Sequence, residues 1–364
     1  MPRIIFTVIN DLTYDQRMHR ICSSLARDGY DVLLIGRKLK DSLPPDRKPF
    51  RQQRLKLLFT RGKLFYIEYN LRLFLLLLFT KFDVVCGIDL DTILPCYFAA
   101  KWKGKRCVYD AHEIFSEVPE VTQRSSIQKI WKRVERFAVT RIDNCYTVSE
   151  SLAAYFLDHY ERRFEVIRNV PLKKETPPPS VPDAEIPIII YQGALNEGRG
   201  LEAMITAMDG IEAKLLLAGD GDLSGKLRSL TSELRLDNKV EFAGKKKAAE
   251  LNELTRQAYI GINLLENQGL NYYYSLANKF FDYVMSGIPQ VTMDFPEYKN
   301  MNSEFEVALL IPNLEKGTIT AAVNQLLRQK DFYFRLRQNC LLAREDWNWE
   351  KEEQKLLSFY RKMK

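Results

Sequence analysis

Short apolar runs of strand character alternate with helix-forming stretches along this chain, and this alternation constrains the fold most strongly. In the first half the runs are rich in branched and aromatic residues; they are residues 3–9, 31–36, 83–88, 105–110, 143–148 and 164–167. Runs that are apolar on both faces and joined by helices are typical of a parallel sheet covered by helices on both sides. The first half is therefore predicted to form a doubly wound α/β domain.

The second half repeats the pattern, with predicted strands at residues 186–191, 213–219, 239–244, 259–265 and 288–293. Between the halves, residues 173–187 contain five prolines in fifteen positions, which excludes a regular helix or strand and favours a linker. We therefore predict an N-terminal Rossmann-like domain at 1–172, a linker at 173–187 and a second Rossmann-like domain at 188–343. Residues 344–364 are predicted to form a C-terminal helix, and its return to the N-terminal domain is left open.

Length and composition are those of a two-domain globular protein. The chain has 364 residues, of which 46% are apolar and 28% charged, and this excludes a disordered chain. Its six cysteines are scattered without a CxxC pair, which predicts buried free thiols in a reducing cytosol. No signal peptide is predicted, and the longest purely apolar run, 73–79, is far shorter than the ~20 residues of a membrane-spanning helix. A cytoplasmic location is predicted.

Positive charge is concentrated in one segment. Residues 37–81 carry 12 basic and 3 acidic side chains, a net charge of +9 that equals the excess of the whole stretch 1–172. The segment begins basic and ends in an apolar run, which favours docking on an anionic, cytoplasmic membrane surface at ~1 kcal/mol per Lys or Arg. The alternative is that residues 64–79 form a buried packing helix and the basic side chains a solvated loop. No nucleic-acid-binding module is recognisable, and no nucleic-acid partner is predicted.

A candidate catalytic group follows one of the predicted strands. The chain has only three histidines, and one of them, His112, stands beside Asp110 and Glu113 directly after the strand 105–110. In parallel α/β sheets, ligands bind at the carboxyl ends of the strands. The position favours an active-site loop. The alternative is that one carboxylate caps the next segment and His112 is a hydrogen-bonded core residue.

Three turns of the second domain predict a phosphate site. The stretch YQGALNEGRGLE (191–202) is a glycine-rich turn between a strand and a helix, and it contains Arg199. Turn amides and helix N-termini bind phosphate, and an arginine adds charge-assisted hydrogen bonds. The other two turns follow later strands, at residues 219–221 and at the helix start in SLANKFFDYVMSG (275–287). Because the three turns converge on one sheet edge, they predict a pocket for a nucleotide diphosphate. The predicted residues are Gly193, Arg199, Gly219, Asn278, Lys279 and Asp282.

Two carboxylate pairs are candidate metal ligands. They are Asp89 with Asp91, and Asp220 with Asp222. Such pairs can hold a divalent cation against a diphosphate. However, Asp91 and Asp222 each stand before a predicted helix, where a carboxylate commonly caps the first turn. We favour capping and predict no metal site.

Taken together, several stretches resemble the retaining glycosyltransferases of the GT-B fold, sequence family 4, over nearly the full length of the chain. They are VYDAHEIFSEVP (108–119), TVSESLAAYF (147–156), VIRNVP (166–171), GALNEGRGLEAMITAM (193–208), LLLAGDG (215–221) and NKFFDYVMSGIPQV (278–291). The resemblance implies two Rossmann-like domains facing across a cleft. It also implies transfer of a sugar from a nucleotide-diphosphate sugar to an acceptor hydroxyl, lipid-linked or polysaccharide, with retention of configuration.

The resemblance also implies roles for individual residues of the second domain. Arg199 falls at the family position that holds the donor diphosphate, and Asp282 at the position that hydrogen-bonds the nucleotide ribose. The backbone amides near Asn278 would face the phosphates. The sugar nucleotide is a co-substrate, and no further cofactor is implied.

For the N-terminal, acceptor-binding domain, the resemblance places His112 near the donor sugar, with Asp110 or Glu113 fixing its tautomer. Asp15 and Arg17 are candidates for the acceptor side or the cleft. In a retaining reaction of this kind, the leaving diphosphate can itself accept the proton of the acceptor hydroxyl.

Two departures from the family pattern keep an alternative open. Ala194 stands where the family commonly has a phosphate-binding arginine, and Tyr274 where it has the first of two glutamates. The chain could therefore be a catalytically silent homologue that binds a sugar nucleotide or a partner enzyme during polysaccharide assembly. An epimerase on the same fold is disfavoured, because its acid–base carboxylates cannot be identified.

Overall fold

The computed structural model describes residues 1–13, 15–40, 42–173 and 185–363. It divides into two compact units. Unit 1 comprises Met1–Asn169 with Glu352–Lys364, and unit 2 comprises Val170–Lys351. Most of the predicted linker, at 174–184, lies outside the described residues.

Unit 1 is built on a parallel sheet. Its strands are β1 (Arg3–Thr7), β2 (Asp31–Arg37), β3 (Arg51–Leu55), β4 (Val84–Ile88), β5 (Arg106–Ala111), β6 (Asn144–Thr147) and β7 (Glu165–Val166). The strand order is β3-β2-β1-β4-β5-β6-β7, and every pair is parallel. The helices are α1 (Gln16–Arg27), α2 (Gly62–Phe79), α3 (Ile93–Lys103), α4 (Pro119–Thr122), α5 (Ser125–Val139) and α6 (Glu150–Tyr160), with a 3-10 turn at Phe115–Glu117.

Unit 2 has a second parallel sheet. Its strands are β8 (Ile188–Gln192), β9 (Lys214–Ala218), β10 (Val240–Phe242), β11 (Ile260–Asn263), β12 (Gln290–Met293) and β13 (Ala308–Ile311), in the order β10-β9-β8-β11-β12-β13. The helices are α7 (Leu201–Ala207), α8 (Ser224–Glu233), α9 (Ala248–Gln257), α10 (Leu270–Tyr273), α11 (Asn278–Met285), α12 (Pro296–Glu304), α13 (Lys316–Arg328) and α14 (Lys330–Asp346), with a 3-10 turn at Met208–Gly210. Two parallel α/β sheets confirm the predicted fold class.

The last helix is α15 (Trp349–Arg361), and from Glu352 onward it belongs to unit 1. Its fully buried Tyr360 packs against the rings of Phe6 and Tyr146, with ring centroids 5.8 and 6.4 Å apart. Arg361 forms an ion pair with Asp28 near the C-terminal end of α1. Aromatic packing and ion pairs, which also include Arg27–Glu353 and Lys362–Glu165, therefore hold the end of the chain in unit 1.

The edge strand β3 was not predicted, because its sequence RQQRL contains no apolar run. Charged residues are common on edge strands, where they oppose pairing with another sheet. Here the two arginines of β3 are engaged within unit 1: Arg51 Nη2 lies 2.8 Å from Asp31 Oδ1, and Arg54 Nη2 lies 3.5 Å from Asp11 Oδ1. Part of the basic segment 37–81 therefore stabilises the sheet.

The apolar part of that segment forms α2, a helix that packs on one face as in the alternative given for residues 64–79 but leaves Leu64, Ile67, Leu71 and Leu75 exposed. Its residues Phe65, Tyr69, Leu73 and Leu77 pack against the sheet. No helix among the described residues combines the length and the apolar character that crossing a bilayer requires.

Candidate functional site

In unit 1 the residue pair Arg17–Asp110 lies at the carboxyl end of β5. Asp110 is fully buried, and it accepts two hydrogen bonds from Arg17, at 2.7 Å from Nη1 and 2.8 Å from Nη2. Burial alone would raise the pKa of Asp110, but the charges of Arg17 and His112 outweigh it and hold this pKa well below its usual range. The carboxylate is therefore ionised, and α1 is tied to the end of the sheet by a bidentate ion pair.

His112 lies between two carboxylates. Its Nε2 atom is 3.2 Å from Asp110 Oδ1 and also contacts Arg17 Nη1, and its Nδ1 atom is 3.4 Å from Asp89 Oδ2. Burial and the charge of Arg17 lower the pKa of His112, but attraction to Asp89 and Asp110 outweighs them, so its pKa is raised. With both ring nitrogens facing carboxylates, the imidazolium form is stabilised.

Asp89 was considered in the sequence only as part of a metal-binding pattern, yet it holds the His112 loop in place. It has a left-handed backbone, with φ of 53°, which Asp tolerates better than most residues. Its backbone N–H donates to the Asp110 carbonyl at 2.9 Å, and its Oδ1 atom accepts from the His112 backbone N–H at 2.8 Å. The sequence feature that could have identified Asp89 is its position directly after the apolar strand 83–88.

The predicted helix caps were wrong at both carboxylate pairs. The N-cap of α3 is Thr92, whereas Asp91 is buried, and its pKa is raised by burial and by the charges of Asp89 and Glu113. At the second pair, it is Asp220, not Asp222, that accepts hydrogen bonds, from Ser224 Oγ at 2.6 Å and the Gly221 amide at 2.9 Å. Within the described ranges, no cluster of three or more His, Cys, Asp or Glu side chains is arranged to hold a metal ion.

The other two residues predicted in the N-terminal domain, Asp15 and Glu113, differ in position and role. Asp15 is the N-cap of α1, and its Oδ1 atom accepts from the Met18 amide at 3.0 Å. Glu113 is half-buried in the loop after β5. The structure therefore brings Arg17, Asp110 and His112 together, while the Asp15 carboxylate is engaged in capping a helix.

The raised pKa of His112 predicts a pH dependence of stability. Protonation of His112 stabilises the folded state fully below its unfolded pKa of ~6.5, and this contribution is lost as the pH rises through the higher folded pKa. The free energy of unfolding of the wild type should therefore fall over this range more than that of a His112→Gln variant. Urea unfolding at several pH values measures it, with His159→Gln as a control. Parallel pH profiles for the wild type and His112→Gln would contradict the arrangement described here.

In unit 2, two loops cross at the carboxyl ends of β8 and β9. The Gly193 N–H donates to the Ala218 carbonyl and the Leu195 N–H to the Asp220 carbonyl, both at 3.1 Å. A Cβ atom on Gly219 would lie only 1.8 Å from the Gly193 carbonyl oxygen, so this position requires glycine. Gly219 is thus explained by the close approach of two backbones.

Lys279, in the first turn of α11, is a buried cation. It is only 9% exposed, and its Nζ atom lies 3.8 Å from the centroid of the Tyr191 ring. Its pKa is well below the ordinary value because it is buried and close to the charge of Arg199, which Asp282 offsets only in part. Within the part of the chain that the structure describes, no carboxylate lies within 4 Å of this ammonium.

Arg199, in the loop between β8 and α7, is half-buried and is supported by an aromatic ring. Its guanidinium carbon lies 5.2 Å from the centroid of Tyr272. Among the described residues, Arg199 too forms no ion pair with a carboxylate. Tyr191 and Tyr272, whose rings lie beside the two cations, were not predicted from the sequence. The sequence feature that could have identified them is an aromatic residue close to the glycine-rich turn and to the helix start.

The two other predicted residues on α11 differ in exposure. Asn278, its first residue, is exposed. Asp282 is half-buried, and its Oδ2 atom accepts from Gln192 Nε2 at 2.7 Å, while Gln192 Oε1 accepts from Thr255 Oγ1 at 2.6 Å. This chain of hydrogen bonds fixes Asp282 to the end of β8. The structure thus brings Gly193, Lys279 and Asp282 together, with the charge of Arg199 close by.

Family models match almost the whole chain. The model described as Glycosyltransferase Family 4 matches residues 16–170, and the model described as Glycosyl transferases group 1 matches residues 173–341. A search of curated protein sequences finds no match.

Solved structures share the fold over the full length. Sucrose-phosphate synthase from Thermosynechococcus elongatus superposes with a TM-score of 0.86 at 17% identity, covering 100% of this chain and 99% of that one. HepE from Anabaena, in complex with UDP and glucose, superposes with a TM-score of 0.76 at 12% identity, covering 99% of this chain and 100% of that one. WaaG, described as a glycosyltransferase involved in lipopolysaccharide biosynthesis, superposes with a TM-score of 0.73 at 15% identity, covering 97% of this chain and 98% of that one.

The family matches and the two parallel-sheet units place the chain among the glycosyltransferases of the GT-B fold. Members of this class move a sugar from a nucleotide sugar, and this confirms the coarser part of the predicted function.

Proposed function

We propose that the protein transfers a sugar from a nucleotide-diphosphate sugar to an acceptor hydroxyl with retention of anomeric configuration. The observation that carries the proposal is the pair of cations in unit 2. Lys279 is buried, its pKa is depressed, and neither it nor Arg199 has a carboxylate partner among the described residues. A buried cation is costly unless an anion compensates it. A diphosphate supplies that anion.

The geometry of unit 2 suits the rest of a donor nucleotide. The N-terminal end of α11, which begins at Asn278, offers backbone amides and the positive end of the helix dipole to phosphate oxygens. We assign Asp282, held by Gln192, to a ribose hydroxyl, as the family resemblance implies. Gly193 allows a ligand to approach the backbone beside the Lys279 ammonium.

The proposed chemistry uses the diphosphate as the base. As the bond between the sugar and the diphosphate breaks, Arg199 and Lys279 stabilise the negative charge that develops on the leaving oxygen. That oxygen takes the proton of the acceptor hydroxyl as the new bond forms on the same face of the sugar. Because positively charged side chains supply this stabilisation, we propose a reaction that does not depend on a metal.

We assign His112 to the donor sugar, as the family resemblance implies, as a positive charge and not as a base. Both its ring nitrogens face carboxylates, and its raised pKa favours the charged form. A charged imidazolium of this kind can orient a sugar through its charge but cannot accept a proton. Arg17 and Asp110 then act through His112, as positioning residues.

For the acceptor we propose a lipid-linked or polysaccharide intermediate, used by a cytoplasmic enzyme that is peripheral at the membrane. Support comes from the basic and apolar segment 37–81, and from WaaG, whose structure shares the fold and is described as acting in lipopolysaccharide biosynthesis.

The decisive experiment is a thermal-shift screen of nucleoside diphosphates and their sugars, followed by an assay of transfer or donor hydrolysis. Stabilisation grows with the logarithm of ligand concentration over dissociation constant, so the screen reports which donor binds. No stabilisation by any member would contradict the donor site. Stabilisation without turnover would favour the silent homologue, which is motivated by Tyr274 at the position of the family's glutamate.

Replacing Arg199 by alanine should weaken donor binding by about 1.5–3 kcal/mol, because a charge-assisted contact to phosphate is lost. The free energy of unfolding should barely change, since Arg199 forms no ion pair among the described residues. Isothermal titration calorimetry with the diphosphate selected by the screen measures the effect. Arg228→Ala is a matched control, because this arginine also lies against an aromatic ring, 4.3 Å from the centroid of Phe242. Equal affinity of the Arg199→Ala variant and the wild type would remove Arg199 from the site.

A further inference from the structure

Helix α2 is apolar on two faces, and unit 1 covers only one of them. The face opposite the packed residues is exposed along its length; it carries Leu64, Ile67, Leu71 and Leu75. These positions recur at helical spacing, and Leu71 is 57% exposed. A helix that is apolar all round is normally buried all round or lies in a membrane. The outer face of α2 is thus an apolar stripe that needs a partner.

Helix α3 extends this apolar surface. It exposes Phe98 and, most strongly, Trp102, which is 81% exposed. Lys103, next to Trp102, binds the C-terminal end of α2: its Nζ atom donates to the carbonyls of Leu77 and Leu78 at 3.0 and 2.8 Å. Exposed apolar side chains on two helices that pack together in this way indicate an interaction site.

Helix α5 borders the apolar stripe with positive charge. It packs against the other two helices through the ring pairs Tyr66–Trp131 and Phe98–Phe137, with centroids 5.8 and 5.7 Å apart. Its outer face carries four exposed cations at helical spacing, which are Lys129, Lys132, Arg133 and Arg136. The surface formed by these three helices is called the α2–α3–α5 face below.

Acidic side chains neutralise only part of this face: Lys132 Nζ lies 2.8 Å from Glu117 Oε1, and Lys105 Nζ lies 2.8 Å from Asp83 Oδ1. Residues 56–81, 93–106 and 124–141 together contain 15 Lys and Arg but only two acidic residues. Both acids are engaged within unit 1: Glu68 accepts from the amides of Leu58 and Phe59, and Glu135 is fully buried. A second copy of the chain would bring cations against cations, so the charge disfavours a homodimer through this face.

We propose that the α2–α3–α5 face docks on an anionic lipid surface. The apolar stripe and Phe98 enter the boundary between headgroups and acyl chains, Trp102 lies at the interface as tryptophan commonly does, and the cations of α5 contact headgroups. This moves docking away from residues 37–61, where Arg51 and Arg54 are already paired with Asp31 and Asp11. The inference deepens the proposed function, because it names the surface from which a membrane-bound acceptor would be taken.

The test is co-sedimentation of the full chain with phosphatidylcholine vesicles that contain or lack phosphatidylglycerol, at low and high salt. Binding should require the anionic lipid and weaken as salt screens the charges. The variant Lys129→Gln/Lys132→Gln/Arg133→Gln/Arg136→Gln should bind on the order of 100-fold more weakly, since Lys129, Arg133 and Arg136 each strengthen binding about fivefold, whereas Lys132 is already paired with Glu117. The variant Ile67→Ser/Leu71→Ser should lose most of its binding even at low salt.

Matched controls come from unit 2. The quadruple variant Lys214→Gln/Arg328→Gln/Lys330→Gln/Lys351→Gln removes the same charge, and Phe334→Ser/Leu342→Ser removes two exposed apolar side chains; both should bind like the wild type. Wild type that stays in the supernatant, or controls that lose as much as the test variants, would overturn the inference. So would lipid-free dimerisation that Ile67→Ser/Leu71→Ser abolishes. Donor binding is measured separately by thermal shift, so failure of docking and failure of the donor site are distinguishable.

Discussion

An Arg17→Met variant is expected to lose about 3–5 kcal/mol of folding free energy, because it leaves the Asp110 carboxylate buried without its partner. Arg17 is 7% exposed and Asp110 fully buried, so little water could compensate the lost ion pair. Urea unfolding of the full chain gives the loss. Hydrogen exchange of residues 106–112 shows whether it arises at the end of β5.

The control for this prediction is Arg27→Met, on the same helix. Arg27 is 61% exposed and pairs with Glu353, and an exposed pair of this kind contributes about 1 kcal/mol at most. The double variant Arg17→Met/Asp110→Leu should recover part of the loss, because it removes the uncompensated charge. If Arg17→Met is no less stable than Arg27→Met, the buried ion pair does not have the role described here.

The same pair predicts an acid dependence. The folded pKa of Asp110 is depressed, so its contribution to stability is present above the unfolded value of ~3.9 and is lost as the pH falls through the lower folded value. The stability difference between wild type and Arg17→Met should therefore shrink in acid below this range. A difference that stays constant would assign the effect to packing alone.

A Lys279→Met variant is expected to bind the nucleoside diphosphate selected by the thermal-shift screen about 100-fold more weakly, at the upper end of the range for a charge-assisted contact. In the unliganded chain, however, the variant should be at least as stable as the wild type, because Lys279 is a buried cation without a carboxylate partner among the described residues. Loss of binding without loss of stability is typical of a functional residue that destabilises the folded state. Calorimetric titration and urea unfolding measure the two effects.

The depressed pKa of Lys279 adds a proton linkage to this prediction. A bound diphosphate favours the charged ammonium, so its binding to the wild type should be accompanied by proton uptake, and affinity should fall as the pH rises through the depressed pKa. Titrations in buffers of different ionisation enthalpy detect the uptake, which Lys279→Met should abolish. Lys226→Met, at an exposed lysine paired with Glu202, should behave as the wild type. A Lys279→Met variant that binds the selected diphosphate normally would exclude this lysine from the donor site.

Local sequence patterns were sufficient for the two sheets and for the loops at their carboxyl ends. The strands of both units were predicted where apolar runs occur, because burial on both faces of a parallel sheet imposes such runs. The glycine-rich turns and the loop after residue 110 were recognised for the same reason, since strand ends are marked by an abrupt change of composition. The polar edge strand β3 and the elements between β12 and the last helix carry weaker patterns, and they were not predicted.

Tertiary structure alone decided which charged side chains are partners. Asp89 meets His112 because β4 lies beside β5, and Arg17 reaches Asp110 from a helix more than ninety residues earlier in the chain. The sequence by itself determined the class of fold and the candidate residues. Strand order and loop crossing decide whether a cation finds a carboxylate. Arg51 is neutralised within the sheet, whereas Lys279 has no carboxylate partner among the described residues. Electrostatic energies depend on distance and burial, and neither can be deduced from spacing along the chain.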